Sequence, residues 1–223
     1  MNSMDRAATA ATKARYDRIA PFYDLMEALV ERGVRAWREK LWRQATGDIL
    51  EVGIGTGKNI PYHPPGAKVI GLDLADQMLA RARQRARALG VNIALREGDV
   101  QALPFPDDNF DTAVATFVFC SVPDPVRGLR ELRRVVKPGG RILLLEHVRL
   151  DGLAGRIMDL LNPLVVRIIG ANINRRTVEN VKAAGLEIAS VEHLGPMGMV
   201  KLIVARPGKP GAERSCDGYA NGT

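Results

Sequence analysis

The sequence contains little cysteine and little histidine, and it has no long apolar run. Two of its 223 residues are cysteines and three are histidines. Cys120 and Cys216 are far apart and neither belongs to a C-x-x-C pair, which argues against a disulfide framework and against a zinc site. We therefore predict a reducing compartment and no bound metal ion.

Neither a membrane-spanning helix nor a secretory signal is indicated. The most apolar stretch, residues 153–169, is interrupted by charged residues and a proline, and it is shorter than the roughly 20 apolar residues that span a bilayer. The N-terminus is polar and alanine-rich, without the apolar segment of a secretory signal. We therefore expect a cytoplasmic protein.

Positive charge exceeds negative charge along the chain. The 32 lysines and arginines against 25 aspartates and glutamates give a formal net charge of +7. This excess favours an anionic partner, which could be nucleic acid, an anionic membrane surface or a phosphorylated small molecule. The length allows one well-buried core and is too short for two ordinary domains.

Residues 24–44 carry apolar side chains at spacings of three and four, which predicts an amphipathic helix. Two interpretations are open. The helix lies on an anionic membrane with its tryptophans at the interface, or it packs on the core and exposes a basic face. The apolar positions are Leu25, Met26, Leu29, Val30, Val34, Trp37 and Leu41.

Beyond residue 48, short β-rich runs alternate with helical segments, which predicts a mainly parallel sheet. The last two runs are close enough to form a hairpin, so one strand should be antiparallel. The predicted strands are 49–52, 68–72, 93–96, 112–119, 141–147, 186–193 and 200–205. We predict an α/β, Rossmann-like sheet of seven mostly parallel strands, with helices on both faces and an N-terminal helical lid.

A glycine-rich turn follows the first predicted strand. Gly53, Gly55 and Gly57 lie two residues apart after Glu51, a spacing that matches neither the P-loop nor the dinucleotide fingerprint. Glycines let backbone amides approach a ligand closely. The pattern suits a cofactor without a pyrophosphate, in which the turn wraps an amino-acid tail and a nucleoside.

Two carboxylates follow the next two strands. Asp73 lies about 20 residues after Gly53, where a carboxylate can accept both ribose hydroxyls. Asp99 ends the third strand, where it could accept a hydrogen bond from an adenine amino group. Either aspartate alone could simply cap a helix. Together with the glycines they predict a nucleoside site.

Several motifs together resemble class I S-adenosylmethionine-dependent methyltransferases, closest to the branch that includes the ubiquinone and menaquinone biosynthesis enzymes. They are residues 51–57, 73, 98–99, 103–107, 110–111 and 136–140. The resemblance covers roughly residues 14–206. It implies S-adenosylmethionine as cofactor and S-adenosylhomocysteine as product. The cofactor residues that it implies are Tyr16, Tyr23, Glu51, Gly53, Gly55, Gly57, Asp73, Leu74, Met78, Asp99, Val100 and Phe117.

Within that branch, residues 16–24 look like the N-terminal lid motif of bacterial phospholipid N-methyltransferases. Residues 119–122, 146–148 and 170–175 also look like that group, and like the membrane-associated thiol methyltransferases of animals. The resemblance favours stepwise methylation of phosphatidylethanolamine toward phosphatidylcholine. A C-, O- or S-methyltransferase of a quinone precursor, thiol or other small molecule is the alternative, and a cofactor-binding protein without catalysis is a third.

Methyl transfer from a sulfonium is an in-line displacement that depends mainly on holding the nucleophile in place. An ethanolamine ammonium, with a pKa of about 10, must first lose its proton, and His147 is the candidate base. Tyr16 and Tyr23 could close over the cofactor and face a substrate cation. A lipid phosphate would need a cationic partner. The substrate candidates are Tyr16, His147, Asn172, Arg175 and Arg176, and the catalytic candidates are His147 and Tyr23.

The expected protein is a monomeric peripheral enzyme on the inner face of the membrane, with a phospholipid substrate and an anionic membrane surface as partner. The amino-methyltransferase tetrapeptide [ND]-P-P-[FYW] is absent from the sequence, which disfavours nucleic acid. Residues 1–45 are predicted to form amphipathic helices that act as a lid and contact the membrane. Residues 46–207 are predicted to bind the cofactor, and residues 208–223 to form a flexible tail.

Overall fold

One central sheet organises the protein in the computed structural model, which describes residues 3–168 and 170–209. The side chains of residues 3–5, 25–32 and 168 lie outside this description. Seven strands are present in the described residues, and they form a single sheet. The strands are β1 (Ile49–Val52), β2 (Val69–Asp73), β3 (Ala94–Glu97), β4 (Phe110–Thr116), β5 (Val136–His147), β6 (Glu187–Leu194) and β7 (Val200–Arg206).

The strand order is β3-β2-β1-β4-β5-β7-β6. Strand β7 runs antiparallel to both of its neighbours, and the other pairs are parallel. This confirms the predicted mostly parallel sheet with one antiparallel strand. The order reverses between β1 and β4, and ligands of open α/β sheets bind in the crevice at such a switch point.

Two strand boundaries differ from the prediction for local reasons. Strand β4 ends at Thr116 because Phe117 adopts a left-handed backbone conformation, with φ 57°, that leaves the strand. Strand β5 begins at Val136, earlier than expected, because Val136 pairs with Phe110 across a register shift.

Helices cover both faces of the sheet, as predicted. Helices α3 and α5 pack on the face that carries Leu50 and Val52, while the C-terminal part of α1 packs on the opposite face against Ile49. The helices are α1 (Ser3–Trp42), α2 (Asp76–Ala88), α3 (Pro125–Val135), α4 (Gly152–Ile168) and α5 (Thr177–Ala183), with short 3-10 turns at Ile60–Tyr62 and Pro196–Gly198.

Helix α1 is one helix of 40 residues that includes Pro21, and it begins well before the predicted residue 24. The alanine-rich start has a high helix propensity, and the helix continues through Pro21 although proline removes one backbone hydrogen bond. Trp42 is only 1% exposed, and Trp37 packs against the same apolar cluster. The interpretation that placed these tryptophans at a membrane interface is therefore wrong, and the core-packing alternative holds for this part of α1.

The other predicted apolar positions of that interpretation, from Leu25 to Val30, lie outside the described side chains. We find no helix in residues 3–168 and 170–209 with the length and hydrophobicity that crossing a bilayer requires. The predicted boundaries of the lid, the cofactor-binding domain and the tail, at residues 45 and 207, stay predictions. Residues 210–223 of the predicted tail lie outside the described part of the chain.

Candidate active site

A pocket of about 720 Å³, counting its open mouth, lies at the carboxyl ends of β1 to β4 and beside α1. The predicted residues on its wall are Tyr16, Tyr23, Gly53, Gly55, Asp73, Leu74, Met78, Asp99, Val100 and Phe117. The predicted residues that do not reach this wall are Glu51, Gly57, His147, Asn172, Arg175 and Arg176.

The glycine turn needs glycine for two different reasons. Gly53 and Gly57 have φ values of 63° and 80°, and a Cβ at either position would lie 2.4 Å from Val118 Cγ2 or 2.6 Å from Ile60 Cδ1. Gly55 also has positive φ, but a Cβ there would meet nothing closer than 4.0 Å. Gly55 therefore presents open backbone to the pocket. Gly53 and Gly57 instead allow the side chains of Val118 and Ile60 to pack closely against the turn.

Glu51 lies in a buried polar network. The Oε1 atom accepts a hydrogen bond from Asn59 Nδ2 at 2.7 Å, and Oε2 lies 2.9 Å from His63 Nε2. Arg38 donates to Asn59 Oδ1 at 2.8 Å, and Glu51 is 1% exposed. Satisfied buried networks of this kind fix local geometry. Glu51 thus supports the strand that leads into the glycine turn.

Asp73 joins the second strand to the glycine turn. The Oδ2 atom accepts the Gly55 N–H at 2.8 Å, and Oδ1 accepts the Ala75 N–H at 2.9 Å. Burial raises the pKa of Asp73 to about 6, although these backbone hydrogen bonds oppose the rise. An ionised carboxylate has about four acceptor positions, so lone pairs remain for ligand hydroxyls.

Asp99 lies where α1 meets the third strand end. The Oδ2 atom accepts a hydrogen bond from Thr9 Oγ1 at 3.2 Å, and Gln101 donates its backbone N–H to Oδ1 at 2.8 Å. Lys13, one turn further along α1, pairs with Asp76 at 3.0 Å. The sequence offers no local signal for the Thr9 contact, because Thr9 lies 90 residues from Asp99 along the chain.

Two tyrosines of α1, Tyr16 and Tyr23, also line the pocket wall. The Tyr16 hydroxyl is 2.5 Å from Ser121 Oγ, and the ring centroids of Tyr16 and Tyr23 are 6.4 Å apart. Both rings pack beside Met78, which is 1% exposed. Helix α1 therefore contributes side chains to both ends of the pocket wall.

The turn after β4 is held by a carboxylate that the sequence analysis did not single out. Glu146 Oε1 accepts the backbone N–H groups of Val118 at 2.8 Å and Phe119 at 3.1 Å. Glu146 is fully buried, and burial raises its pKa to about 7. Because Phe117 has positive φ, which costs energy for a residue with a Cβ, these two hydrogen bonds stabilise a strained turn.

His147 lies behind this turn, away from the pocket wall. The imidazole stacks on the Phe117 ring with centroids 4.6 Å apart and planes 27° from parallel, and His147 is exposed. Phe117 is the residue that reaches the pocket. The structure therefore places the predicted base one aromatic ring away from the site.

The predicted phosphate ligands support the pocket from outside. Asn172 donates its backbone N–H at 2.9 Å and its side-chain amide at 3.0 Å to the Cys120 carbonyl. Arg175 donates to the Val122 carbonyl at 2.7 Å, and burial lowers its pKa. Arg176 is exposed. Asn172 and Arg175 thus hold the segment that forms one pocket wall.

The fold and the pocket define a class I S-adenosylmethionine-dependent methyltransferase. A family model described as a methyltransferase domain matches residues 50–144. A demethylmenaquinone methyltransferase of Deinococcus radiodurans is 36% identical over 173 residues, which cover 74% of this chain and 72% of the relative. The chain belongs to this methyltransferase family, related to the quinone methyltransferases, and it is an enzyme.

Two further proteins are similar to this chain, one in sequence and one in structure. A phosphatidylethanolamine N-methyltransferase of Cereibacter sphaeroides is 40% identical over 107 residues, or 47% of this chain and 53% of that relative. A solved methyltransferase structure from Thermotoga maritima aligns with a TM-score of 0.68 at 22% identity, covering 88% of this chain and 99% of that structure. The structural similarity establishes the fold.

The pocket fits S-adenosylmethionine, the cofactor of this family. The open backbone at Gly55 leaves room for the amino-acid tail, and Asp73 retains acceptor positions for ribose hydroxyls. Residues Asp99 and Val100 lie on the wall where an adenine would extend. The shape of the pocket and its hydrogen-bond acceptors agree with the predicted arrangement. The role of each residue in cofactor binding stays a prediction.

Cofactor affinity is expected to fall about tenfold between pH 7 and pH 5. The pKa of Asp73 is raised to about 6, and the ionised carboxylate is the better acceptor for ribose hydroxyls, so protonation below that pH weakens binding. Calorimetric titration with S-adenosylhomocysteine across this range measures the effect. Glu146→Gln, which removes another carboxyl whose pKa is raised by burial, should keep the pH step. An affinity that is constant, or that rises at pH 5, would contradict the assignment.

Proposed function

We propose that the protein methylates a ring carbon of an aromatic precursor of an isoprenoid quinone. The observation that carries the proposal is the similarity to the demethylmenaquinone methyltransferase, which extends over most of both chains. Other relatives are quinone C-methyltransferases as well. The expected phosphatidylethanolamine activity has narrower support and becomes the second candidate.

The chemistry of the pocket supports an aromatic acceptor. The part of the wall that follows β4 includes Phe117, Val118 and Val122, and the hydroxyls of Tyr16 and Ser121 lie beside them. A planar ring can pack against Phe117 and the valines, since aromatic rings favour such contacts. The paired hydroxyls can orient a hydroxyl group on that ring.

The chain's own residues do the work of positioning. S-adenosylmethionine supplies a methyl group on a sulfonium, and transfer breaks the S–C bond, forms a C–C bond and releases the ring proton to water. Asp73 holds the nucleoside and Gly55 lies along the amino-acid tail, while Phe117 and Tyr16 hold the acceptor ring in line with the methyl group. Such orientation can supply several kcal/mol, up to about 7–11, of the barrier reduction.

Phosphatidylethanolamine is the second candidate because of the Cereibacter sphaeroides relative. Its ammonium needs a base and its phosphate needs a cation. Among the described residues, the pocket wall beyond the nucleoside end carries neither a histidine nor an arginine. Arg175 is engaged with the Val122 carbonyl, and His147 lies behind Phe117. An uncharged aromatic acceptor therefore suits this wall better than phosphatidylethanolamine does.

The His147 side chain is expected to act through stacking. His147→Phe keeps a ring against Phe117, so kcat should stay within about twofold, whereas His147→Ala should lower it by up to about tenfold, the equivalent of one lost aromatic contact. Steady-state kinetics at saturating cofactor measure both. If both variants lost about a hundredfold, His147 would be a general base and the stacking role would be wrong.

One labelling experiment tests the proposal. The protein is incubated with methyl-labelled S-adenosylmethionine and mixed vesicles that contain both demethylmenaquinone, in its reduced form, and phosphatidylethanolamine, and the lipids are then separated. Label in the quinone fraction is expected. Label in the phospholipid fraction alone would overturn the proposal and favour the second candidate.

Two further expectations stay predictions. They are that the enzyme is a monomer and that it does not act on nucleic acid.

A further inference from the structure

Helix α4 exposes a continuous apolar stripe. Five of its large hydrophobic residues are 45% to 80% exposed, although helices of globular proteins normally bury such a face. At about 100° per residue their directions fall within an arc of about 100°. We call them the α4 stripe, and they are Leu153, Ile157, Leu160, Leu161 and Leu164.

The opposite side of α4 is fixed to the protein by polar contacts. Asn162 accepts the Ile173 N–H at 2.9 Å and donates to Asn172 Oδ1 at 3.2 Å. Asp159 pairs with Arg149 at 2.7 Å. Because these contacts set the rotation of the helix, the stripe faces outward as part of the fold. A large exposed apolar patch of this kind marks an interaction surface.

Charge beside the stripe identifies the partner. Arg156 and Arg167 are exposed and, by helical geometry, project along one edge of the stripe. The carboxylate of Asp159 on that side is neutralised by Arg149. An apolar stripe edged with arginines matches the boundary between acyl chains and anionic headgroups. A second copy of the chain would bring like charges together, so it fits less well.

The stripe is also coupled to the pocket. Asn162 contacts Asn172, and Asn172 donates to the Cys120 carbonyl, next to Ser121 on the pocket wall. A bilayer held by α4 would therefore lie against the element that supports the acceptor side of the site. Both candidate acceptors are lipids, and a lipid must reach the site from a membrane.

We propose that the α4 stripe inserts into the surface of an anionic bilayer, with Arg156 and Arg167 contacting lipid phosphates. The inference rests on the proposed function, because it assumes an acceptor that resides in a membrane. It assigns membrane contact to α4 instead of the buried tryptophans of α1.

Vesicle sedimentation with the full chain tests this surface. The double variant Leu160→Ser, Leu164→Ser should lower binding to phosphatidylglycerol-containing vesicles by more than about tenfold, because two large apolar side chains no longer leave water. Leu89→Ser, at a leucine that is 48% exposed outside α4, is the matched control and should bind normally. Arg156→Glu with Arg167→Glu should abolish the preference for anionic over phosphatidylcholine vesicles.

The outcomes separate this inference from the proposed function. Sedimentation needs no turnover, so unchanged binding by the leucine variant would overturn the α4 surface even if quinone methylation were found. Loss of a dimer in the leucine variant, seen by analytical ultracentrifugation without lipid, would also overturn it. The same variant should methylate a short-chain, water-soluble quinone analogue at the normal rate and a vesicle-embedded quinone poorly.

Discussion

Asp73→Asn is expected to weaken S-adenosylhomocysteine binding by about a hundredfold or more. The carboxylate accepts the Gly55 and Ala75 N–H groups and keeps acceptor positions toward the pocket. Two charge-assisted hydrogen bonds to ribose hydroxyls contribute about 1.5–3 kcal/mol each, and a neutral amide forms them less well. Calorimetric titration at pH 7.5, above the raised pKa of Asp73, measures the loss.

The matched control is Asp151→Asn, the same chemical change at an exposed aspartate outside the pocket. It should bind the cofactor product like the unaltered protein. Thermal unfolding of both variants separates lost binding from lost folding. If the Asp73 variant bound as tightly as the control, the nucleoside would have to lie elsewhere.

Gly53→Ala is expected to destabilise the protein by about 2–5 kcal/mol and to abolish cofactor binding. The positive φ costs about 1–2 kcal/mol for a residue with a Cβ, and the new methyl group would lie 2.4 Å from Val118 Cγ2. Overpacking of this kind adds about 1–3 kcal/mol. Urea unfolding and calorimetric titration measure the two effects.

Gly66→Ala is the control for the backbone cost alone. Gly66 has a similar φ of 73°, but a Cβ there would meet no atom within 4 Å. The difference between the two variants therefore isolates the contact with Val118. Adding Val118→Ala to the Gly53 variant should recover part of the stability. Equal losses for Gly53→Ala and Gly66→Ala would show that the contact has no energetic role.

The nucleoside end of the site was predictable because its residues follow strands in a fixed order. Gly55, Asp73 and Asp99 each come directly after a buried or β-rich run, and parallel strands bring their carboxyl ends to one edge. Sequence periodicity carries that information locally. The structure accordingly gathers these residues on one pocket wall.

Contacts between distant segments were not predictable in the same way. Thr9 reaches Asp99 across 90 residues, and its helix continues through Pro21, which a local rule treats as a break. Glu146 stabilises the Phe117 turn from a neighbouring strand, so neither residue alone signals the arrangement. Such features depend on tertiary packing, which local patterns do not encode.

The acceptor side was the least predictable because strand-end position does not fix where a side chain projects. His147 does end a central strand, but it stacks on the outer side of Phe117, while the adjacent Glu146 is buried. Successive residues of a strand point to opposite faces of the sheet. A shift of one residue along β5 therefore changes whether a side chain is buried beside the pocket or faces solvent. Arg175 similarly turns to a backbone carbonyl of the pocket wall.

A crystal structure with bound S-adenosylhomocysteine tests the central claim most directly. Both ribose hydroxyls should lie at hydrogen-bond distance, about 2.7 Å, from the Asp73 carboxylate. The adenine should lie beside Asp99 and Val100, and the amino-acid tail along the Gly55 backbone. A nucleoside bound away from Asp73, with the glycine turn empty, would contradict it.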